Sequence, residues 1–390
     1  MKTKVGIIGG GPSGLLLSQL LDLQGIENVV LEKRSREYVL GRIRAGVLEH
    51  GFAKLMREAE CGARMDAEGE VHTGFFIAEN GRKRRVDLAG HTGGNSVLVY
   101  GQTELTTDLY AARDKRGGTV IHNVEEVQLF GLKSDAPYIT YALNGEARRL
   151  DCDYIIGADG FHGPSRQAIP KDVLREYEKT YPFGWLGVLS RTQPVSPELI
   201  YAKHARGFAL CSMRSQILSR YYIQVPLSDS VADWPDEAFW AELKARLPAA
   251  EAAALQTGPS IEKSIAPLRS YVAEPMRYGA LFLAGDAAHI FPPTGARGLN
   301  SAASDIYYLY HGLLDHYKKG DDTWLDQYSE KALARVWKAQ RFSWWMTNLL
   351  HAFPDASPYE RKLQSTEMDY LFSSGSAQDS LAENYIGLPF

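Results

Sequence analysis

An α/β fold mixed with β meanders is what the sequence predicts, and three features predict it. Residues 4–8 form a short apolar run, a turn carrying Gly9, Gly11 and Gly14 follows, and residues 15–24 have helical spacing before a second apolar run at 28–32. Strand, tight turn, helix and strand in that order make a βαβ unit of Rossmann type. Short apolar runs bounded by small residues return at 154–158 and 280–284, as strands added late to the same sheet would. Between 71 and 100 apolar and polar residues alternate around Gly and Asn turns, so β meanders interrupt the α/β pattern.

The remaining elements follow in order. Residues 138–143 and 148–154 are expected to form a hairpin. The stretch 185–227 is strand-rich, with 221–225 its clearest strand, and 236–247 has helical spacing. A helix is expected to begin near Gly298. The stretch 322–350 carries an apolar stripe at helical spacing, with Trp337, Trp344 and Trp345, which reads as a docking face for core or partner. There is no internal repeat and no low-complexity linker, so the structural regions are expected to interleave along the chain.

Composition narrows the function. The chain has 390 residues, 45% hydrophobic and 23% charged, which suits two or three globular domains. Its formal net charge of −4, with acids and bases interspersed, offers no broad positive field to nucleic acid or an anionic membrane. An anion must therefore be caught locally. Cys61, Cys152 and Cys211 are far apart and form no CxxC pair, which argues against a disulfide framework or a metal site and suits a reducing cytoplasm. The opening Lys2, Lys4 and apolar run imitate a secretion signal, but the glycine turn breaks the run too early. No stretch is long and apolar enough for a membrane span.

The glycine turn has chemistry attached. In Gly9-x-Gly11-x-x-Gly14 one glycine makes the tight turn, one lets backbone approach a pyrophosphate, and one lets the helix pack closely on the strand. Ser13 lies in the same turn. The helix start then presents unpaired N–H groups to the anion. Glu32, 18 residues beyond Gly14 at the tip of the second strand, can accept from ribose hydroxyls. This turn alone leaves NAD and FAD both open. Asp159-Gly160 after one late strand and Gly285-Asp286 after another favour FAD, whose ribityl chain needs partners away from the first turn.

With those motifs the chain resembles the group A flavoprotein aromatic monooxygenases. Gly41-Arg-Ile-Arg-Ala-Gly-Val47, Tyr100-Gly-Gln102, the 292–300 stretch Pro-Pro-Thr-Gly-Ala-Arg-Gly-Leu-Asn and Glu383-Asn-Tyr-Ile-Gly-Leu-Pro389 resemble the branch that hydroxylates 4-hydroxybenzoate at C3. The match runs from Met1 to the last residues. The resemblance implies an FAD-binding region at 1–175, a substrate-binding sheet at 176–290 and a helical region at 291–390. It also implies a homodimer, with O2, NAD(P)H and 4-hydroxybenzoate as reactants.

The resemblance further implies that Ser13, Glu32, Arg42, Arg44, Val47, Gln102, Asp159, Asp286, Leu299 and Asn300 line FAD, with Arg220 supporting the flavin and the positive potential of the pocket. A substrate carboxylate that is buried must be paired. Ser212 and Arg214, two apart on a strand and so on one face, with Tyr222 from the neighbouring strand, would grip it. Electrophilic hydroxylation beside a phenol by a flavin C4a-hydroperoxide is helped when the phenol loses its proton. The resemblance places Tyr201 on the substrate hydroxyl, Tyr385 behind it, His72 as the link to solvent, and the Pro293 carbonyl on the same hydroxyl. No second glycine turn exists for a nicotinamide dinucleotide, so reductant is expected at a surface. His162 and Arg269 are implied as its contacts, and Lys33, Arg34, Arg36 and Tyr38 suit the 2′-phosphate of NADPH, with NADH the alternative. Two rival readings are a related monooxygenase for another phenolic acid and a flavin-fold binding protein without redox turnover.

Overall fold

The computed structural model describes residues 1–41 and 46–390. Its opening unit is the strand Val5–Ile8, the helix Pro12–Leu23 and the strand Asn28–Leu31. The helix enters earlier than its apolar spacing indicated, because Pro12 sits in its first turn, where a missing N–H costs nothing. These two strands pair in parallel, and Tyr154–Gly157 adds in parallel on the other side of Val5–Ile8. Leu281–Leu283 continues the sheet beyond it, Arg277–Tyr278 closes that edge, and Thr119–Ile121 lies at the far edge.

Leu15, Leu16, Leu20 and Leu21 of the first helix and Leu105 and Leu109 of the helix Gln102–Lys115 are buried with this sheet's Ile7, Val30 and Ile155. Both faces of the strands are covered, which is why they read as unbroken apolar runs.

The expected hairpin needs a shift. Its strands are Tyr138–Leu143 and Glu146–Asp151, and Tyr154 belongs instead to the parallel sheet. The alternation of Leu150, Cys152 and Tyr154 with charged residues runs on through two strands that a bend at Cys152 and Asp153 separates.

The second sheet has eight strands and holds the site. Its centre is Arg175–Ser190, flanked antiparallel by Ser260–Glu274 and Leu218–Pro226, followed by Ala209–Ser215, Ile200–Lys203 and the meander strands Gly74–Glu79 and Arg82–Asp87. Side chains alternate between its faces. Leu186, Val188, Ile200, Ala209, Cys211, Tyr221 and Ile223 pack with Phe239, Trp240 and Leu243 of the helix Asp236–Arg246. The other face turns Phe75, Trp185, Tyr201, Phe208 and Leu210 towards Phe342, Met346, Leu349 and Leu350, and towards Leu381 and Tyr385 of the last helix, Gly375–Ile386.

The 322–350 stripe divides into Thr323–Asp326 and Tyr328–Leu350. Its buried side is Ala332, Val336, Ala339, Phe342 and Met346, whereas Trp337 and Trp344 are exposed and Trp345 is half-buried. Among the described residues no helix is long and apolar enough to cross a membrane, and the three cysteines are free and buried.

Candidate active site

The first turn separates glycines the chain needs for itself from one it leaves open. Gly9 has φ +116°, and a Cβ there would lie 2.2 Å from the Ala158 carbonyl oxygen. A Cβ on Gly14 would lie 2.0 Å from the carbonyl oxygen of Gly9. At Gly11 a Cβ would meet nothing within 4 Å, and Gly11 is the N-cap of Pro12–Leu23 with no side chain capping the helix. Unpaired N–H groups beside open space are what a diphosphate requires.

Glu32 accepts from the N–H of Gly10 at 2.6 Å and from that of Arg34 at 2.8 Å, tying the second strand to the turn. Its remaining lone pairs are still available to ribose hydroxyls. Gly285 sits at φ +61°, and a Cβ there would come 3.2 Å from Ser13 Oγ, so the late strand delivers its acid, the exposed Asp286, to the same turn. Asp305 accepts from the Gly285 N–H at 2.9 Å and lies 2.7 Å from His289 Nε2 beneath it. Asp159 Oδ2 accepts from the Ser165 N–H at 2.9 Å, while its Oδ1 is buried without a partner among the described residues. Burial raises the Asp159 pKa. An uncapped helix start, an open glycine and an orphaned carboxylate oxygen fit a dinucleotide with a hydroxyl-rich chain.

Other expected cofactor contacts are positioned differently from one another. Arg42 and Arg44 lie outside the described residues. Gln102 begins its helix, and Leu299 is half-buried in the first turn of the helix Arg297–Lys319. The Asn300 amide donates to the carbonyls of Val47 and Ala296, both at 2.8 Å, and accepts from the Glu49 N–H at 2.9 Å. That side chain is a clamp on the strand Val47–Leu48, which leaves the backbone N–H groups of the first turn, with no side-chain cap, as the donors at this helix start.

The substrate candidates share the inner face of the second sheet. Ser212 opposes Arg220, and Tyr222 and Tyr201 each oppose Leu210 from opposite sides. Antiparallel partners point to the same face, so Ser212, Arg220, Tyr222 and Tyr201 project together, while Arg214 stands at a bulge between Met213 and Ser215, where the register shifts and strict alternation ends. Arg214 is half-buried, and its Nε has no partner among the described residues. Arg220 is paired with Glu262 at 3.0 Å and lies over the Tyr222 ring at 5.2 Å, so part of its charge is offset locally.

The Tyr201 and Tyr385 hydroxyls are 2.8 Å apart and both residues are buried. Burial pushes the Tyr201 pKa up to about 12, partly countered by the hydrogen bond and by Arg297, and drives Tyr385 higher still. His72 is also buried, but neither ring nitrogen has a partner among the described residues, so its expected hydrogen-bonded link to the tyrosines is not formed here. Desolvation lowers its pKa, which keeps the ring neutral. The Pro293 carbonyl accepts from the Ala296 N–H at 3.0 Å, which leaves one lone pair for a further donor.

A buried charge cluster escaped the sequence reading. Glu49 is held by Arg297 and by Arg335, the latter at 2.8 Å, and all three are buried. Arg297 also donates to the Tyr385 carbonyl at 2.9 Å and Arg335 to that of Leu388 at 2.8 Å, so the pair of cations moors the C-terminal segment beside the tyrosines. The available signal was Arg335 standing on the buried stripe with Ala332, Val336 and Ala339.

On the surface, Arg269 lies 3.6 Å over the Phe161 ring and next to that ring is exposed His162, which brings the two expected reductant contacts together. Lys33, Arg34 and Tyr38 are exposed, with Arg34 5.0 Å over the Tyr38 ring. Arg36, counted above with the phosphate-binding charges, is instead paired with Asp114 at 2.7 Å.

A fold that delivers three strand tips to one uncapped helix start, beside a sheet face whose tyrosine is hydrogen-bonded to a second from the last helix, defines a flavin-dependent enzyme. The FAD binding domain family matches residues 2–343, and the chain belongs to it. It is 54% identical over 390 residues, all of this chain and 96% of the relative, to the p-hydroxybenzoate hydroxylase of Acinetobacter baylyi. It is 25% identical over 336 residues to the 3-(3-hydroxy-phenyl)propionate/3-hydroxycinnamic acid hydroxylase of Burkholderia cenocepacia, covering 78% of this chain and 56% of that one. The crystal structure of p-nitrophenol 4-monooxygenase from Pseudomonas putida superposes with a TM-score of 0.81 at 19% identity, covering both chains entirely. The protein is an FAD-dependent aromatic monooxygenase that uses NAD(P)H as co-substrate.

Proposed function

We propose that this enzyme hydroxylates 4-hydroxybenzoate at C3, giving 3,4-dihydroxybenzoate at the expense of NAD(P)H and O2. The observation that carries the reading is the pairing of a Ser212–Tyr222 face, next to Arg214 at the adjoining bulge, with the Tyr201–Tyr385 hydroxyl pair on one side of one sheet. A benzoate carboxylate would give the orphaned Arg214 Nε the partner it lacks, in a charge-assisted bond strengthened by exclusion of water. Arg220 adds positive potential to the same face.

FAD, held by the turn from Gly9 to Gly14 with Glu32, Asp159 and Asp286, supplies the activated oxygen when bound. The chain's own residues handle the proton. Tyr201 is neutral at physiological pH and accepts a hydrogen bond from the phenol while donating to Tyr385; the Pro293 carbonyl is a second acceptor. As the phenol proton leaves, it passes along the two hydroxyls, and the buried cations Arg297 and Arg335 favour the negative charge left behind. His72, neutral and unpartnered, is ready to take the proton onward after a rearrangement that brings it within reach.

Reductant is proposed to dock transiently beside Phe161, His162 and Arg269. Lys33 and Arg34 favour NADPH over NADH. We read residues 1–175 as chiefly flavin-binding, 176–290 as chiefly substrate-binding and 291–390 as the helical region, with Leu281–Leu283 crossing back to the first sheet. Exposed Trp337 and Trp344 support a homodimer. The test is oxidation of NADPH and NADH with and without 4-hydroxybenzoate, together with chromatography of the product. Stimulated oxidation yielding 3,4-dihydroxybenzoate supports the proposal; no stimulation, or a different product, overturns it.

A further inference from the structure

Trp185, on the inner face of the second sheet, packs against Tyr222 with ring centroids 5.2 Å apart. Its indole N–H, which can only donate, points to His351 Nε2 at 2.7 Å. That contact dictates the histidine tautomer. Nε2 accepts, so the ring proton is on Nδ1, which donates to the Thr347 carbonyl at 3.0 Å. The imidazole is fully buried between Phe183 at 4.8 Å and Phe208 at 4.4 Å, and burial pulls its pKa down to about 3, so it remains neutral.

The chain of bonds continues. The Thr347 hydroxyl donates to the Ser343 carbonyl at 2.7 Å, which uses its only proton. The 3.0 Å bond between the Thr347 and Thr294 hydroxyls is therefore donated by Thr294. Thr294 follows Pro293 in the loop proposed to meet the substrate hydroxyl, and a Cβ on Gly295 would come 3.2 Å from Ser343 Oγ, so that loop is seated against the same helix face. Ser343, Thr347 and His351 are four residues apart, one above another at the end of the helix Tyr328–Leu350.

We infer that Thr347 and His351 are positioning residues: they form a buried strut that sets the distance between the hydroxyl end of the pocket, at Pro293-Thr294, and its carboxylate end, at Trp185-Tyr222. The inference rests on the substrate assignment above. A strut of neutral hydrogen bonds whose donors and acceptors are all committed has one arrangement, so it holds both ends of a para-substituted ring at one separation. Loosening it lets the ring shift away from the reacting position while reductant is still consumed.

The experiment uses holoenzyme of Thr347→Val, Thr347→Ser and His351→Phe. Thr347→Val leaves the Thr294 donor without an acceptor, Thr347→Ser restores it, and His351→Phe keeps a ring between Phe183 and Phe208 but strands the Trp185 N–H. Retained FAD and thermal midpoint are measured first. The Kd for 4-hydroxybenzoate, from its perturbation of the flavin spectrum, is expected to rise about tenfold in Thr347→Val and His351→Phe. Product formed per NAD(P)H falls in both, with hydrogen peroxide making up the difference, and Thr347→Ser restores both quantities. A Kd and a product ratio like the parent's in both variants would overturn the strut. If Thr347→Val loses its flavin, His351→Phe decides the matter. If the parent enzyme shows no spectral response to 4-hydroxybenzoate, the substrate assignment itself fails, a result distinct from an unchanged response in the variants.

Discussion

The hydroxyls of Tyr201 and Tyr385 lie 2.8 Å apart although the residues are 184 positions apart in the chain. One sits on a sheet strand and the other on the last helix, so the pair exists only where the C-terminal segment is moored over the sheet. With both phenols neutral, one donates and the other's proton is free to move onward, which is the requirement for a proton path.

Removing the first hydroxyl tests that path. Tyr201→Phe keeps the ring packed against Phe75 and Phe208 but removes the hydroxyl that links the phenol to Tyr385, leaving the Pro293 carbonyl, which can take a hydrogen bond but not pass the proton on. Flavin content and 4-hydroxybenzoate affinity are expected to stay within a few-fold, while hydroxylation slows about a hundredfold, the usual scale for losing one general base. Stopped-flow product quantification alongside peroxide assay checks it. Equal product yield in the variant would refute the relay.

Alkaline stability follows from the same burial. The Tyr201 pKa is raised in the fold, so its contribution is complete below the unfolded value near 10 and is lost as pH climbs to about 12. Urea midpoints are expected to fall between pH 10 and 12, by on the order of 2 kcal/mol for this residue, and Tyr201→Phe should flatten that limb. Absorbance of tyrosinate near the ultraviolet edge gives an independent reading.

Glu49→Gln preserves shape while leaving Arg297 and Arg335 with no countercharge in a buried site. The expected cost is about 3 kcal/mol, seen as a lower denaturant midpoint. A midpoint within about 0.5 kcal/mol of the parent would mean the cluster is more hydrated than its burial implies.

Arg214→Ala removes the guanidinium proposed to meet the carboxylate. A charge-assisted bond of this kind is worth about 1.5–3 kcal/mol, so 4-hydroxybenzoate should bind about ten- to a hundredfold more weakly, with FAD retained. Titration followed by flavin absorbance is the measurement.

The two outer turn glycines should differ from the middle one. Gly9→Ala forces a Cβ against the Ala158 carbonyl at a positive φ and should lower the stability of the apoprotein. Gly11→Ala meets nothing in the chain, so the apoprotein should melt normally while FAD affinity collapses. Calorimetry of apoprotein and fluorescence-quench titration with FAD separate these outcomes.

The features legible in the sequence are local. The opening βαβ unit, Glu32 at its strand tip and the late strands ending in Asp159 and Asp286 are visible because strand, turn and helix signals span a few residues, and because the turn demands glycine at set spacings. Alternation alone puts Ser212 and Arg214 on one face, but a bulge between Met213 and Ser215, which depends on the pairing with the neighbouring strand, interrupts that rule at Arg214. The hairpin boundary is the exception, because the alternation of Leu150, Cys152 and Tyr154 with charged residues runs across two strands in different sheets.

Charge pairing was not legible, because it depends on which distant segments meet. Arg36 is a free cation by sequence but lies beside Asp114 in the fold, and the Asn300 amide, available to a ligand by sequence, is committed to Val47 and Glu49. By itself the sequence determined a dinucleotide turn and a strand bearing Ser212 and Arg214. Only the tertiary structure decided that Tyr385 meets Tyr201, that Glu49 joins Arg297 and Arg335, and that His351 bridges Trp185 to Thr347. Hydrogen bonds and ion pairs act over about 3 Å, and chain separation along the sequence carries no information about which groups come that close.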